Sequence, residues 1–161
     1  KMIVKVKDLF DIKYGVNLEL NKCELDSNGI NFVSRTFSNN GVSAKVKKID
    51  GIKPQPPGTI TVSGGGSACE AFLQLEEYYS GRDLYVLYPK FEITLEIGVF
   101  YAMCIRFNKY RFNYGRQANR TLGDILIPHH KNYTTWLKNS LDHSKKISNS
   151  KLSQIEEFLF S

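Results

Sequence analysis

The sequence KYRFNYGRQANR, residues 109–120, determines how the rest of the chain can be arranged. It has no carboxylate and contains the cations Lys109, Arg111, Arg116 and Arg120. Cations without acidic partners are not buried in a protein core, so this stretch must lie at the surface and its apolar neighbours must supply the frame. Aromatic and amide side chains stand between the cations: Tyr110, Phe112, Tyr114, Asn113, Gln117 and Asn119. Such a surface suits a polyanion with base edges, because Arg and Lys neutralise phosphates, Arg pairs with guanine and Asn or Gln pairs with adenine. A solvated loop over a small aromatic cluster is the alternative interpretation.

The residues before this stretch, 91–107, are apolar around almost the whole circumference of a helix. Thr94 can cap such a helix, Glu96 lies in its first turn and Arg106 in its last, which is the charge order that the helix dipole favours. The sequence therefore predicts a buried helix over residues 95–108 that brings residues 109–120 to the surface. A strand is the alternative, because many of these residues are β-branched or aromatic.

Short apolar runs elsewhere predict strands, and turn residues predict the connections between them. The predicted strands cover residues 2–6, 30–33, 59–62, 69–75, 84–87 and 122–127, the last stopped by Pro128. Turns are predicted at Tyr14-Gly15, before an extended segment, and at residues 26–29 and 38–41. Residues 132–141 and 152–160 predict helices joined by the polar segment SKKISNSK. These elements predict a mixed α/β fold of the α+β type, with a buried helix and C-terminal helices.

Length and composition limit the classes of protein that this chain can represent. Its 161 residues fit a single domain, with a core over about residues 8–128 and a helical segment over about 131–161. The formal net charge of +6 favours an anionic partner. The first residues, KMIVKVKDLF, lack a signal-peptide apolar region, and Lys before Met indicates an excised or tagged chain. We expect a cytoplasmic protein without a membrane segment, whose Cys23, Cys69 and Cys104 are reduced thiols in the core.

A second basic segment lies between residues 30 and 58, where Asp50 is the only carboxylate. Its cations are Arg35, Lys45, Lys47, Lys48 and Lys53. The strand over residues 30–33 is predicted to end at the polar residues Ser34, Arg35 and Thr36, and the turn that follows contains Asn39 and Asn40. The alternation of lysines with Val46 and Ile49 predicts a half-buried edge, with a solvated face as the alternative.

The sequence lacks the motifs of the common catalytic and metal sites. His129 and His130 are adjacent and no C-x-x-C occurs, so no metal site is predicted. There is no G-x-S-x-G motif, and the glycines of SGGGS, residues 63–67, are not followed by Gly-Lys-Ser/Thr. The only Pro-Pro pair, in QPPG, cannot serve as an adenine-methyltransferase motif. We therefore predict no catalytic residue and no cofactor.

Four segments, in order, resemble motifs of the target-recognition domains found in specificity subunits of restriction–modification systems. They are FVSRT with NNGV (residues 32–42), PGTITV with GGS (57–67), YSG with YVL (79–87), and YRFNYGRQA with residues 122–128. The resemblance implies a twisted mixed or antiparallel sheet whose loops enter the DNA major groove. It also implies a non-catalytic module that holds methyltransferase and restriction modules, separate or fused, on double-stranded DNA. Both a type I subunit and the recognition domain of a fused type II enzyme fit the resemblance.

The same resemblance gives candidate DNA-binding residues. Motif residues shared by proteins with different targets are expected to hold phosphates or shape loops, which assigns Arg35 and the cations of residues 109–120 to the DNA backbone. The amides could bond either bases or the loop backbone. The full set is Ser34, Arg35, Thr36, Asn39, Asn40, Lys45, Lys47, Lys109, Arg111, Asn113, Tyr114, Arg116, Gln117, Asn119 and Arg120.

Two other functions are compatible with the residues. An RNA- or single-strand-binding domain would use Tyr110, Phe112 and Tyr114 as a stacking platform. An enzyme of another kind would use the SGGGS turn as a phosphate cradle. For the recognition domain, we expect residues 34–41 and 109–120 to share one face, because two basic loops repel each other unless a polyanion lies against both.

Overall fold

The computed structural model describes residues 3–64, 70–108 and 121–132, together with residues 143, 146, 147, 149, 150, 153, 154 and 157. Ile3–Ile127 form one compact unit, and Lys1–Met2 with Pro128–Ser161 form a second. The helices and strands of the described part are β1 (Ile3–Lys5), α1 (Val6–Leu9), β2 (Phe10–Tyr14), β3 (Leu25–Val33), β4 (Val42–Val46), β5 (Thr59–Ser63), β6 (Ala71–Gln74), β7 (Tyr78–Ser80), β8 (Leu84–Pro89), α2 (Leu95–Phe107) and β9 (Leu126–Pro128).

Within the described residues these strands form three sheets. The largest has the order β2-β8-β5-β6 and is antiparallel throughout. The second has the order β4-β3-β7, in which β4 is antiparallel and β7 parallel to β3. The third pairs β1 with β9. Antiparallel and mixed sheets together with the helix α2 confirm the predicted α+β architecture.

The helix α2 packs against β6 and β5 of the largest sheet. Gly98 permits this close approach, because a Cβ atom at this position would lie 2.6 Å from Cδ2 of Leu73. On the same side of the helix the buried rings of Tyr101 and Phe10 meet edge to face, with centroids 5.6 Å apart. Thr94 caps the helix by accepting the Ile97 N–H at 3.3 Å. The predicted bounds and cap of this helix are confirmed.

The helix α2, which the sequence predicted to be buried, is buried along one face and exposed along the other. Leu95, Val99, Met103 and Phe107 are exposed and recur at every fourth residue along the helix. The opposite side, with Gly98, Tyr101 and Ile105, supplies the buried face. A helix that packs on one sheet buries one stripe, and apolar composition alone does not tell which side that stripe covers.

A separate core lies on the three-stranded sheet. Ile30, Phe32, Val46 and Tyr79 are buried together, and Cys23 packs partly buried against them. The Tyr79 hydroxyl accepts the Ile49 N–H and donates to the Ile52 carbonyl, both at 3.0 Å, which ties the segment after β4 to this sheet. The hydroxyl thus satisfies backbone groups of Ile49 and Ile52, which lie in the irregular segment between β4 and β5 and have no strand partner there.

The two cysteines that the structure describes are partly buried, whereas the sequence predicted core positions. Cys23 and Cys104 are free thiols. Burial raises the pKa of the Cys23 thiol and raises the pKa of Cys104 to about 11. Both thiols therefore stay protonated near neutral pH and are poor nucleophiles. Cys69 lies outside the described residues.

Several local predictions fail where tertiary contacts override turn composition. The predicted turn over residues 26–29 lies inside β3, which is irregular between Leu25 and Ile30. Asp26 Oδ1 accepts the Asn28 N–H at 2.9 Å, so the Asx-turn chemistry forms a bulge and not a chain reversal. The extended segment predicted to follow the Tyr14-Gly15 turn instead lies before Gly15, as β2, and residues 78–80, which lie between the predicted strands over 69–75 and 84–87, form β7.

Two further corrections concern chain segments flanking the apolar runs. Val6, predicted as the last residue of the strand over residues 2–6, begins the short helix α1, and the Lys5 N–H before this helix donates to Asp8 Oδ2 at 2.9 Å. Residues 122–124 form a 3-10 turn, so only the second half of the predicted strand over 122–127 is extended, and Pro128 ends it as predicted. In the polar segment predicted to join two helices, residues 146, 147, 149 and 150 are helical.

Candidate nucleic-acid interface

One edge of the first unit gathers the ends of seven strands. β2, β3, β5 and β7 end there, and β4, β6 and β8 begin there, as the strand registers require. The described residues of the connections at this edge are 15–18, 34–41, 64, 70 and 81–83. We refer to this region as the loop edge. Connections between strands are the part of a fold that carries binding residues on a rigid frame.

The turn of residues 81–83 joins the two larger sheets at the loop edge. Gly81 donates its N–H to the Val33 carbonyl at 2.8 Å, and the Gly64 N–H donates to the Asp83 carbonyl at 2.7 Å. Gly15 closes the edge from the β2 side, because its N–H donates to the Leu84 carbonyl at 2.8 Å. Three strand ends are thereby fixed to one short turn.

The loop of residues 34–41 is closed by its own hydrogen bonds. The Ser34 N–H donates to the Gly41 carbonyl at 2.9 Å, and the hydroxyls of Thr36 and Ser38 lie 3.0 Å apart in hydrogen-bonding contact. Asn39, Asn40 and Gly41 have φ angles of 49°, 55° and 79°, which is the left-handed region that Asn and Gly tolerate. The predicted turn at residues 38–41 is confirmed.

The two loop amides are engaged with backbone. Asn39 Nδ2 donates to the Val42 carbonyl at 3.0 Å, and Asn40 Nδ2 donates to the Leu73 carbonyl of β6 at 2.8 Å. The buried Gln74 returns this contact, because its Nε2 donates to the Asn40 carbonyl at 3.0 Å. The sequence left open whether these amides bond bases or backbone. In the structure the amide N–H groups of Asn39 and Asn40 donate to backbone carbonyls and shape the loop.

Arg35 forms an ion pair across the loop edge. Its Nη1 atom lies 3.2 Å from Asp83 Oδ2, with 39% of the Arg35 side chain and 48% of the Asp83 side chain exposed. Asp83 has a φ of 55° and is held on its other oxygen, which accepts the Tyr14 hydroxyl at 2.9 Å. The same hydroxyl accepts the Asp83 N–H at 3.1 Å. The pKa of Tyr14 is raised by partial burial and by the contact with Asp83, so its proton stays on the hydroxyl that donates.

Other arginines at the described loop edge also have carboxylate partners. Arg82 pairs with Glu19, and Arg106 Nε lies 3.9 Å from Glu70 Oε2. The segment of residues 30–58 is nearly free of acid in sequence, but folding places Asp83 beside Arg35. A carboxylate from another part of the chain therefore lies within the surface that the sequence predicted to be basic.

The structure separates two predicted DNA-binding lysines from the loop. Lys45 is exposed on β4, and Lys47 follows the far end of that strand. Lys47 Nζ lies 3.4 Å from Glu24 Oε1, and five extended residues carry Lys47 about 16 Å from Val42 at the loop edge. Ser34, Arg35, Thr36, Asn39 and Asn40 are brought together, whereas Lys45 and Lys47 are not part of that cluster.

Residues 109–120 lie outside the described residues, and with them the candidates Lys109, Arg111, Asn113, Tyr114, Arg116, Gln117, Asn119 and Arg120. The end of α2 immediately before them is described. The Arg106 guanidinium carbon lies 5.5 Å from the centroid of the Phe72 ring. On the loop of residues 34–41, a Cβ built on Gly41 would lie 3.2 Å from the same ring. The last turn of α2 and the loop therefore meet at one side chain of β6.

Three residues at the loop edge were missed by the sequence analysis. Tyr14 and Asp83 flank strands that pair only in the folded chain, so no local pattern connects them with Arg35. Phe37 lies between Thr36 and Ser38 and is 74% exposed. An apolar residue among polar turn residues is a signal that the sequence does contain.

Other chemistry has little support in the described residues. Within residues 3–64, 70–108 and 121–132, no three His, Cys, Asp or Glu side chains cluster as metal ligands would. The SGGGS turn is described only at Ser63 and Gly64, with Ser63 Oγ accepting the Glu70 N–H at 3.1 Å. In the second unit His129 and His130 stack at 4.4 Å, and burial lowers the pKa of His130. None of the helices that the structure describes has the length and hydropathy of a membrane span.

Comparison with known proteins gives one family and several solved structures. A family model described as type I restriction modification DNA specificity domain matches residues 1–156. The S subunit of a type I restriction-modification system from M. genitalium is similar over 92% of this chain, with a TM-score of 0.63 and 15% identity. The HsdS subunit from Thermoanaerobacter tengcongensis is similar over 92%, with a TM-score of 0.64 and 14% identity.

A third solved structure, from work on complex assembly and conformational transition of the type I R-M system, is similar over 96% of this chain, with a TM-score of 0.66 and 16% identity. This chain spans 41%, 39% and 40% of the lengths of the three solved chains. No curated protein matches the sequence. At these identities the solved structures establish a shared fold.

Proposed function

The chain belongs to the family of type I restriction modification DNA specificity domains, and we propose that its loop edge contacts the base pairs of one part of a double-stranded DNA target. Domains of this family are the non-catalytic DNA-recognition components of type I complexes. The resemblance, the DNA-recognition function and the absence of a catalytic role predicted from the sequence are thereby confirmed at the level of the family.

The observation that carries the proposed site is the convergence at the loop edge. The polar loop of residues 34–41, the turn of residues 81–83 and the end of α2 are fixed to each other through β6 and the strand ends. Recognition of a duplex requires several contacts held in a fixed register, and loops on one rigid edge provide it. The candidates Ser34, Arg35 and Thr36 lie at this edge, next to the segment that leads into residues 109–120.

We assign different roles to the cations of residues 109–120, to the loop amides Asn39 and Asn40, and to the lysines Lys45 and Lys47. Residues 109–120 contain four cations and no carboxylate in their sequence, and we assign them to the phosphates. Asn39 and Asn40 hold the loop in shape through backbone contacts. Lys45 and Lys47 contribute at most to the long-range field, because they lie along and beyond β4.

The wider assembly follows from the family. We propose that the chain acts in the cytoplasm as one recognition domain of a longer specificity protein. Methyltransferase and restriction subunits would assemble with that specificity protein on the DNA. The 39–41% share of the solved S-subunit chains that it spans supports the view that such a protein contains more than this one domain. Recognition in a fused type II enzyme would use the same loop edge.

Binding of matched nucleic acids tests the proposed function. Fluorescence anisotropy of the full chain should show tighter binding to a random-sequence duplex than to either single strand or to RNA of the same length and at the same salt. Equal or stronger binding to the single strand would favour the stacking-platform alternative. With S-adenosylmethionine and magnesium added, the purified chain should neither methylate nor cut the duplex, and turnover abolished by a point mutation in this chain would contradict the non-catalytic role.

A further inference from the structure

We infer that Arg35 contacts the edge of a guanine base, and that Asp83 and Tyr14 are positioning residues that aim it. This inference rests on the proposed function and replaces the assignment of Arg35 to the DNA backbone made from the sequence. It begins from the ion pair between Arg35 Nη1 and Asp83 Oδ2, at 3.2 Å.

The partner of Arg35 is itself fixed on several sides. Asp83 accepts the Tyr14 hydroxyl through Oδ1, and its own N–H donates to that hydroxyl. Its carbonyl accepts the Gly64 N–H at 2.7 Å, so the turn cannot move without breaking contacts to β5. Tyr14 is braced by an edge-to-face contact with Tyr85, whose ring centroid lies 5.2 Å away. A guanidinium held by such a carboxylate loses less conformational entropy when it binds a ligand.

Charge decides which ligand this arrangement favours. A phosphate approaching Arg35 would be repelled by the Asp83 carboxylate, and the ion pair has no net charge with which to attract it. The guanine O6 and N7 atoms are uncharged acceptors, so the neighbouring carboxylate opposes them far less. With 39% of its side chain exposed, Arg35 retains N–H donors that can form the two parallel hydrogen bonds guanine accepts.

The backbone of Arg35 also suits a base contact. It follows the buried Val33, whose carbonyl is fixed by the Gly81 N–H, and Ser34, whose N–H is fixed by the Gly41 carbonyl. Arg35 therefore extends from a closed loop at the end of a strand. The phosphate contacts fall to residues 109–120, whose sequence contains four cations and no acid.

Affinity ratios test this inference separately from the proposed function. A duplex is first selected by the full chain from a random library, and its affinity is compared with that of a scrambled duplex. Arg35→Ala and Arg35→Lys should each lower the ratio of these affinities about tenfold, because lysine keeps the charge but lacks the planar fork. Replacing the contacted guanine by 7-deazaguanine should lower wild-type affinity, while Arg35→Ala, which has no donor at this position, should lose nothing further from the same replacement.

The positioning residues have their own controls. Asp83→Asn and Tyr14→Phe should lower the affinity ratio, whereas Glu24→Gln, which removes the carboxylate partner of Lys47 at the far end of β4, should leave it unchanged. Thermal unfolding identifies any variant that fails to fold, and Arg35→Lys remains decisive in that event. The inference is overturned if Arg35→Lys binds both duplexes as the wild type does, or if Arg35→Ala weakens both equally. A wild-type chain that binds no duplex contradicts the proposed function instead.

Discussion

Arg35 and Asp83 face each other across the junction of two sheets, with Arg35 Nη1 3.2 Å from Asp83 Oδ2. Arg35 follows the last strand residue of β3, and Asp83 precedes the first residue of β8. The contact exists because the parallel pairing of β3 with β7 places Val33 beside Ser80. Exposed ion pairs of this kind add little to stability, about 0–1 kcal/mol, so the pair is better explained by what it presents at the surface.

The cations of residues 109–120 should control the salt dependence of binding. Arg111→Ala and Arg116→Ala should each reduce the slope of log affinity against log salt by roughly one, because each removes one phosphate contact. Lys47→Ala is the matched control and should leave the slope unchanged, since Lys47 pairs with Glu24 beyond the far end of β4. Anisotropy titrations across a salt series give the slopes. If both arginine variants keep the wild-type slope in a folded protein, residues 109–120 are not the phosphate contacts.

The helix and the strands β5, β6 and β8 of the largest sheet were predictable because their signals are local. A capping threonine, an acidic first turn and a basic last turn located α2 within one residue at its C-terminus. Apolar runs located β5 and β8 for the same reason. The bulge in β3 and the strand β7 were not predictable from local sequence. The DSNG segment forms a bulge, and Tyr78 and Tyr79 form a strand, only because neighbouring strands pair with them in the folded chain.

Asn40 should act on the loop and not on the choice of base. Its φ of 55° and its hydrogen bond to Leu73 predict that Asn40→Ala lowers the free energy of unfolding by about 1–2 kcal/mol. Affinity for selected and scrambled duplexes should fall together. Asn40→Gly, which keeps the left-handed backbone, should recover part of the stability. A changed base preference with unchanged unfolding would instead make Asn40 a base contact.

Gly15 should be required for the packing of the loop edge. A Cβ atom there would lie 2.4 Å from Ser80 Oγ and 3.1 Å from the Leu84 carbonyl oxygen. Gly15→Ala should therefore cost roughly 1–3 kcal/mol, measured by denaturant unfolding. Gly123→Ala is the control, because its nearest neighbour is the end of the Ile12 side chain at 3.3 Å, and it should cost less than about 0.5 kcal/mol. Equal costs for the two substitutions would show that the close approach at Gly15 is unimportant.

Phe37 should contribute an apolar contact in the major groove. It is 74% exposed on the closed loop of residues 34–41, two residues from Arg35. The methyl group of thymine is the apolar feature of that groove, so Phe37→Ala should lose about fourfold in affinity for a selected duplex that contains the contacted thymine. Stability should change by less than about 0.5 kcal/mol.

Uracil in place of thymine isolates that methyl group. The replacement should weaken wild-type binding at one position and leave Phe37→Ala unaffected there. Leu25→Ala, which alters an exposed apolar residue at the opposite end of β3, should retain the thymine preference of the wild type. If every thymine can be replaced without cost, Phe37 has another role.

The candidate site was only partly predictable for a physical reason. Charge and turn chemistry near Ser34 and Thr36 are visible in the sequence, and the loop is where they indicate. The partner carboxylate of Arg35 lies on another strand, so the local absence of acid overstated the net charge of this surface. Lys45 and Lys47 were grouped with the loop because they follow it in sequence, but the extended strand β4 places them away from it.

Hydrogen–deuterium exchange of the full chain, with and without a duplex selected from a random library, shows whether the loop edge and residues 109–120 bind one duplex. We expect DNA to slow exchange together in residues 34–41, 81–83 and 109–120, because one duplex is proposed to contact all three segments. Residues 24–29 and 45–48, at the far end of β3 and β4, should exchange as in the free chain. Protection at the far end, or protection of residues 109–120 without residues 34–41, would contradict a shared DNA surface at the loop edge.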